Sequence, residues 1–494
     1  MNLLEKIENF GAIDAENDTR LIEYFVKTPI LRDLYDYKKS IVIGRKGTGK
    51  TAIYKYIGQD RINVTSKLLF KDYPWKIHDN YRNSIVSERE SFVYSWEFLF
   101  YIEIFKKIIY LKDFFLTKEE IKNINKINKW INKNWGNITF SHNEILSPKK
   151  SKLLFSFAPA VYGFSLGSIS RELEKSDNPG NTLSEFNKKF ENIIIKLLDN
   201  FNNEIILLFD ELDLAYSVND ENYKNRLIGL LLAAYSFYSK FNKKVKIYLF
   251  LRSDIFNLLD FQDKNKIKDN MVEFLDWDPD SLDSKLSLKQ VVQTRIKKNI
   301  NSSSNNFQQN WNNIFDINNI GRNQNKWNFI SDRSFIRPRD FIKFMNLSLE
   351  QAKLRLKNSP DSIDKITNED MHAIRKQYSQ YLFEELKDEI GGKYNNFNNY
   401  LEILRDIHHL SFTYEDFEKS YINIKKRILI EENLNIILER LFEFSIIGFY
   451  KPGGGGFGGS EYCFQYSSEL QPFNSRANKF KVHFGFKEYL ELIE

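Results

Sequence analysis

Gly44, Gly49, Lys50 and Thr51 fit the spacing GxxxxGK[ST] within the stretch IVIGRKGTGKTAIYKYI, residues 41–57. Each position answers a need of phosphate chemistry. Glycines 44, 47 and 49 permit the backbone torsions and the close approach that let consecutive amide N–H groups wrap an anion. Arg45, Lys46, Thr48 and Ala52 complete the predicted nucleotide-binding loop. Lys50 is expected to reach the β- and γ-phosphates, and the Thr51 hydroxyl to hold Mg²⁺. The β-branched run IVI before Gly44 and the helically spaced apolar residues of TAIYKYI after it predict strand, loop and helix in the order this chemistry requires.

Hydrolysis also needs a carboxylate for the ion and a group that positions water. Both occur in EIILLFDELDLAY, residues 204–216, where five apolar residues run into Asp210 and Glu211. An uninterrupted apolar run predicts a strand of a parallel sheet covered on both faces, and the carboxyl ends of such strands are where these sheets place ligands. Asp210 is expected to complete the Mg²⁺ shell and Glu211 to orient and polarise the attacking water. Asp213 reads as a solvated loop acid or a cap for the helix that follows. A second buried run, KVKIYLFLRSDIF at 244–256, delivers Arg252, Ser253 and Asp254 to the same edge. A guanidinium there can pair bidentately with phosphate oxygens or form a surface ion pair, and the residues alone leave both readings open.

Five segments together carry a resemblance: FGAIDAENDTRLIEYFVKTP, IVIGRKGTGKTAIY, LLFDELD, FLRSDIF and, at 337–346, RPRDFIKFMN. They resemble a widespread family of bacterial P-loop ATPases related to the AAA+ and STAND groups, KAP-type ATPases included, over most of residues 10–350. The resemblance implies an α/β fold: a P-loop NTPase core with an AAA+/STAND-like parallel sheet, a helical lid and a C-terminal winged-helix-like domain. It implies ATP and Mg²⁺ as cofactors and Arg252 as a sensor of the γ-phosphate. It also places a sensing arginine at the start of the lid helix, where Arg337 and Arg339 both qualify and Arg339 is preferred. Pro338 suits the first turn of that helix.

These anchors set the organisation. Residues 1–35 read as a helical entry segment, 36–280 as the ATPase core with a long insertion at about 75–195, 281–375 as the lid and 376–494 as a helical, winged-helix-like part. The insertion holds an amphipathic helix, SWEFLFYIEIFKKIIYLK, and a lysine- and asparagine-rich one, TKEEIKNINKINKWINKNW. In the second helix, Glu119 and Glu120 among the lysines and the isoleucines at helical spacing favour a solvated face over a nucleic-acid contact. The stretch LLFSFAPAVYGFSLGSIS at 153–170 reads as a buried hairpin, because Pro159 and the glycines and serines break a spanning run. The asparagine-rich tract from Asn301 to Asn328 reads as a mobile surface loop. A strand SIIGFY, a glycine tip at 453–459 and the alternating EYCFQYS suggest a β-wing.

Composition narrows the function further. A net charge of +6 from 72 basic and 66 acidic residues is too even for a nucleic-acid footprint, and residues 411–494 hold ten Lys/Arg against twelve Asp/Glu. Nucleic acid is therefore not favoured as a partner, and no membrane is expected. A single cysteine, Cys463, and an N-terminus without the order of an export signal predict a cytoplasmic protein with no disulfide framework. Six histidines never combine with cysteine or acid at zinc-ligand spacing. No NKxD motif follows, which favours ATP over GTP. The expected function is an ATP-binding and hydrolysing switch that controls its own oligomerisation or an effector protein encoded nearby, in anti-phage or stress defence as the resemblance implies. The alternative is a DNA-associated AAA+ ATPase of the origin-recognition or loader type.

Overall fold

The computed structural model describes residues 2–494 apart from 62–63, 82–86, 115–116, 148–159, 162–163, 166–178, 200, 214–220, 242, 322, 392–393, 395, 454–458 and 468–471. The chain forms two compact units. The first comprises Ile30–Arg45 and Lys50–Phe274; the second comprises Met1–Pro29, Lys46–Gly49 and Leu275–Glu494.

The first unit is built on strands β1 (Ile41–Gly44), β2 (Thr65–Leu69), β5 (Ile205–Asp210), β6 (Val245–Arg252) and β7 (Val272–Phe274), with β3 (Ala160–Val161) and β4 (Phe164–Ser165) as a separate short antiparallel pair. The five strands make one parallel sheet in the order β2-β5-β6-β1-β7. Every residue of β1 and β5 is buried because helices cover both faces, and this is why their sequences read as apolar runs without alternation. Phe209 meets Phe100 of the helix Glu88–Tyr110 on one face (ring centroids 5.3 Å apart), while Phe250 meets Tyr54 of the helix Lys50–Asp60 on the other (5.8 Å). The helices Glu88–Tyr110, Lys118–Trp135 and Pro179–Leu198 share a single apolar core with the sheet, so the long segment between β2 and β5 forms one of the sheet's covering layers. The hairpin expected at 153–170 falls largely outside the described residues; within it, Ala160 and Val161 of β3 pair with Ser165 and Phe164 of β4.

The second unit holds two apolar cores that meet along the helix Arg375–Gly391, where Tyr378 belongs to one and Leu382 to the other. The first core gathers Leu4, Ile7 and Phe10 with the helices Leu288–Ile300 and Pro338–Asn358. The tract 301–328, expected to be a mobile loop, is instead folded into this core. It forms the helices Phe307–Ile314 and Lys326–Ser331, with Trp311 stacked on Phe315 at 3.9 Å and packed edge-on against Trp327. Its asparagines serve the backbone: Asn306 and Asn325 cap the two helices, and the fully buried Asn310 donates to the carbonyls of Ser304 and Asn306. The second core lies under an antiparallel sheet of β8 (Ser411–Thr413), β9 (Ile447–Lys451), β10 (Glu461–Cys463) and β11 (Lys479–Val482), in the order β10-β9-β11-β8. The helices Tyr414–Lys425 and Leu434–Glu443 run between β8 and β9. The expected glycine tip lies mostly outside the described residues, and the strand expected over EYCFQYS is confined to Glu461–Cys463. Among the described residues no helix is long and apolar enough to cross a membrane.

Candidate functional site

Register brings the first unit's predicted residues to one edge of the sheet. Gly44, the last residue of β1, pairs with Arg252, the last of β6, and Asp210 ends β5 on the other side of β6. The loop after β1 opens directly into the helix Lys50–Asp60, so Lys50, Thr51 and Ala52 occupy its first turn with Lys50 at the first position. Left-handed φ values occur at Gly47 (+82°) and Gly49 (+99°), the two loop positions that therefore favour glycine. Gly44 does not share them: it is the last strand residue, so of the torsions and close approach expected of the three glycines it does not use the left-handed torsions.

Electrostatics concentrate at this edge. The Lys50 ammonium donates to the carbonyls of Gly44 (2.8 Å) and Arg45 (3.0 Å). Burial lowers its pKa, and the charges of Asp213 and Asp210 oppose that shift. Asp210 is 4 % exposed, and desolvation pushes its pKa up to about 6 against the opposing pull of the Glu211 amide, the Thr51 hydroxyl and Lys50. Its Oδ2 is buried without a hydrogen-bond partner. A carboxylate linked to Thr51 with one oxygen still unmatched suits a hard divalent cation, which takes few protein ligands when phosphates supply the others. Glu211 sits at φ +60°, an uncommon conformation for a non-glycine residue placed directly after the strand's buried end.

Arg252 is held by acids of its own unit. Its Nε and Nη2 donate to Asp254 at 3.0 and 2.8 Å, and Asp213 lies 3.6 Å from its Nη1. Asp213 is thus an ion-pair partner of Arg252 and a source of field at Lys50, while the helix cap expected of it falls on residues outside the described ones.

The loop tip, Lys46–Gly49, groups with the second unit. Arg337 is 1 % exposed, forms a bidentate pair with Asp340 (3.0 and 2.9 Å) and donates to the Lys46 carbonyl at 2.8 Å. Trp277 Nε1 donates to the Thr48 carbonyl at 2.9 Å. A Cβ at Gly47 would stand 3.0 Å from Arg339 Cβ, so the tip and the start of the helix Pro338–Asn358 pack without spare room. Arg339 itself donates to Glu385 (2.7 Å) and to the Ile13 carbonyl, and Glu385 also lies 3.6 Å from Lys46 Nζ. Of the two arginines weighed from sequence, Arg337 holds the loop backbone and Arg339 lies in an ion-pair network. Sequence reasoning did not single out Trp277 or Glu385.

Removing Arg337 would leave Asp340, which is 0 % exposed, as an uncompensated buried charge. Arg337→Ala is therefore expected to cost about 3–5 kcal/mol in chemical denaturation, and Arg339→Ala clearly less. Equal losses would contradict the division of roles.

One comparison with known proteins falls wholly within the second unit. A sequence profile described as a FunZ-associated C-terminal helical domain matches residues 286–387. This span runs from the end of β7's exit loop through the helix Pro338–Asn358 into the helix Arg375–Gly391. A curated relative, the "Putative transposon gamma-delta 80.3 kDa protein" of Escherichia coli (strain K12), is 23% identical over 295 residues, covering 56% of this chain and 38% of that protein. The chain therefore spans well under half the length of this relative.

Proposed function

We propose that the protein binds ATP with Mg²⁺ on the loop Gly44–Thr51, hydrolyses it, and uses the cycle to switch its own assembly or its grip on a partner protein. One observation carries the reading: three adjacent parallel strands end side by side in Gly44, Arg252 and Asp210, with Lys50 and Thr51 opening the next helix. In this reading the amides of 45–51 cradle the phosphates and Lys50 neutralises the β- and γ-oxygens. Thr51 and Asp210 would hold the ion, which would supply charge stabilisation to the phosphoryl group. Glu211 orients the water. Arg252 can trade Asp254 for the γ-phosphate, since a guanidinium offers the same bidentate fork to either anion.

Hydrolysis at such a site would be spent on conformation. Within the second unit, the contacts of Arg337, Trp277 and Arg339 with residues 46–49 offer a route from the loop tip to the helix Pro338–Asn358. The two helices between β8 and β9, Tyr414–Lys425 and Leu434–Glu443, support reading the sheet β8–β11 as part of a winged helix. Its helix Leu434–Glu443 exposes Asn435, Ile436 and Glu439, while its one arginine, Arg440, is held by Glu432 at 2.6 Å. That surface is poorly suited to phosphates, which supports partner or self contact over DNA loading at this module.

Light scattering on Glu211→Gln, which should trap bound ATP, is the test. A larger mass with ATP than with ADP is expected, alone or with an effector encoded nearby. A mass indifferent to nucleotide, together with turnover strongly accelerated by duplex DNA, would favour the loader reading.

A further inference from the structure

Tyr54 stands on the helix Lys50–Asp60, one turn after Lys50 and Thr51, and the nucleotide reading does not use it. The residue is 3 % exposed, yet its hydroxyl is buried without a hydrogen-bond partner. Buried tyrosines usually match their O–H, and phenylalanine would fill the same space without desolvating a polar group. The hydroxyl therefore contributes nothing to the fold that phenylalanine would not. The sheet defines its surroundings. Phe209 points to the helix Glu88–Tyr110, so Asp210, the next residue of β5, points to the opposite face. The helix Lys50–Asp60 covers that face, and there the Tyr54 ring meets Phe250 edge-on at 5.8 Å. The β5–β6 register pairs Phe209 with Leu249, which sets Asp210 beside Phe250 one step on. Tyr54 thus packs on the immediate neighbour of Asp210, on the same side of the sheet. Burial raises the Tyr54 pKa, and the charges of Asp210 and Glu211 raise it further, so the hydroxyl lies within the field of both acids. Asp210 Oδ2 is likewise buried and unmatched.

We infer that Tyr54 is a positioning residue for the proposed Mg²⁺ site, its hydroxyl orienting the Asp210 carboxylate toward the ion, a role that rests on the nucleotide reading. The chemistry of the two groups is complementary: one unmatched donor and one unmatched acceptor share a face of the sheet, next to the acid that would ligate the cation. Carboxylate ligands of metals are commonly held in orientation by a hydrogen bond from a neighbouring group, and losing such a partner typically costs about 10- to 100-fold in metal affinity. A tyrosine that only fills the core predicts no such effect, because phenylalanine keeps the ring and its contact with Phe250.

The test is isothermal titration of ATP into the whole chain, in excess Mg²⁺ and in EDTA, for wild type and Tyr54→Phe. The ratio of the two affinities measures the coupling between ion and nucleotide. Tyr54→Phe should lower that ratio about 10-fold while its affinity in EDTA stays within about 2-fold of wild type. Its nucleotide-free Tm should equal or exceed the wild-type value, because the change removes a buried hydroxyl that has no partner. Wild type that binds ATP more tightly in Mg²⁺, with the ratio unchanged in Tyr54→Phe, would overturn this role alone. An equal loss of affinity in Mg²⁺ and in EDTA, or a lower nucleotide-free Tm, would also overturn it, since either would place the hydroxyl's effect on the fold or on the nucleotide itself. Wild type that binds no ATP, or binds it equally with and without Mg²⁺, would overturn the nucleotide reading and this role with it.

Discussion

Lys50→Ala should abolish ATP binding, with affinity falling at least about 100-fold in isothermal titration. Two features make the effect large. The ammonium opens the helix after the loop proposed to bind phosphate, and it is already desolvated there, so its attraction for phosphate oxygens would be weakly screened. Alanine also removes the donor that binds the carbonyls of Gly44 and Arg45 at the loop's root. ATP binding unchanged in Lys50→Ala would remove the loop from the account. Lys50→Arg serves as a second variant: it keeps the charge but cannot reproduce a compact ammonium, and an intermediate loss is expected.

Asp210→Asn should stabilise the protein in the absence of nucleotide at pH 7.5 while eliminating its response to Mg²⁺. The sign follows from the direction of the shift. Desolvation raises the Asp210 pKa to about 6, above its ordinary value of 3.8, so the folded state holds this proton more tightly than the unfolded chain does. The associated stability is present below the ordinary value and is lost as pH rises through about 6, leaving a charge penalty of up to about 3 kcal/mol at neutral pH. Asparagine removes the charge and can still accept from the Thr51 hydroxyl. Thermal melts at pH 7.5 should therefore show a higher Tm for the variant, and the difference should close near pH 4. Mg²⁺ with ATP should raise the wild-type Tm alone, because a hard cation needs the carboxylate. A variant less stable than wild type at pH 7.5 would mean that Asp210 is compensated in a way its unmatched oxygen does not suggest.

The parts of this site that could be read in the sequence are those whose physics is local. IVI, IILLF and KIYLFLR stand out because buried parallel strands cannot alternate, and Pro338 marks a helix start because its missing N–H costs nothing there. The glycine spacing identified the loop, although only Gly47 and Gly49 use the left-handed torsions. What could not be read depends on partners far along the chain. Trp277 reaches the Thr48 carbonyl across 229 residues of sequence, and no pattern within DWDP announces it. Arg337 and Arg339 are separated by a single proline, so only packing decides which one turns inward to Asp340 and which one meets Glu385. The asparagine-rich tract misled because composition counts polar residues without asking whether they cap helices. Trp311, Phe315 and Trp327 were the counter-signal, three large rings that a solvated loop would leave exposed.

Phosphate release from ATP by the wild-type chain and by Glu211→Gln, each with and without Mg²⁺, tests the central claim most directly. Turnover that requires Mg²⁺ and falls at least about 100-fold in Glu211→Gln, while that variant still binds ATP, is the predicted result. Wild-type protein that binds no ATP, or turnover that is equal in Glu211→Gln or indifferent to Mg²⁺, would contradict it.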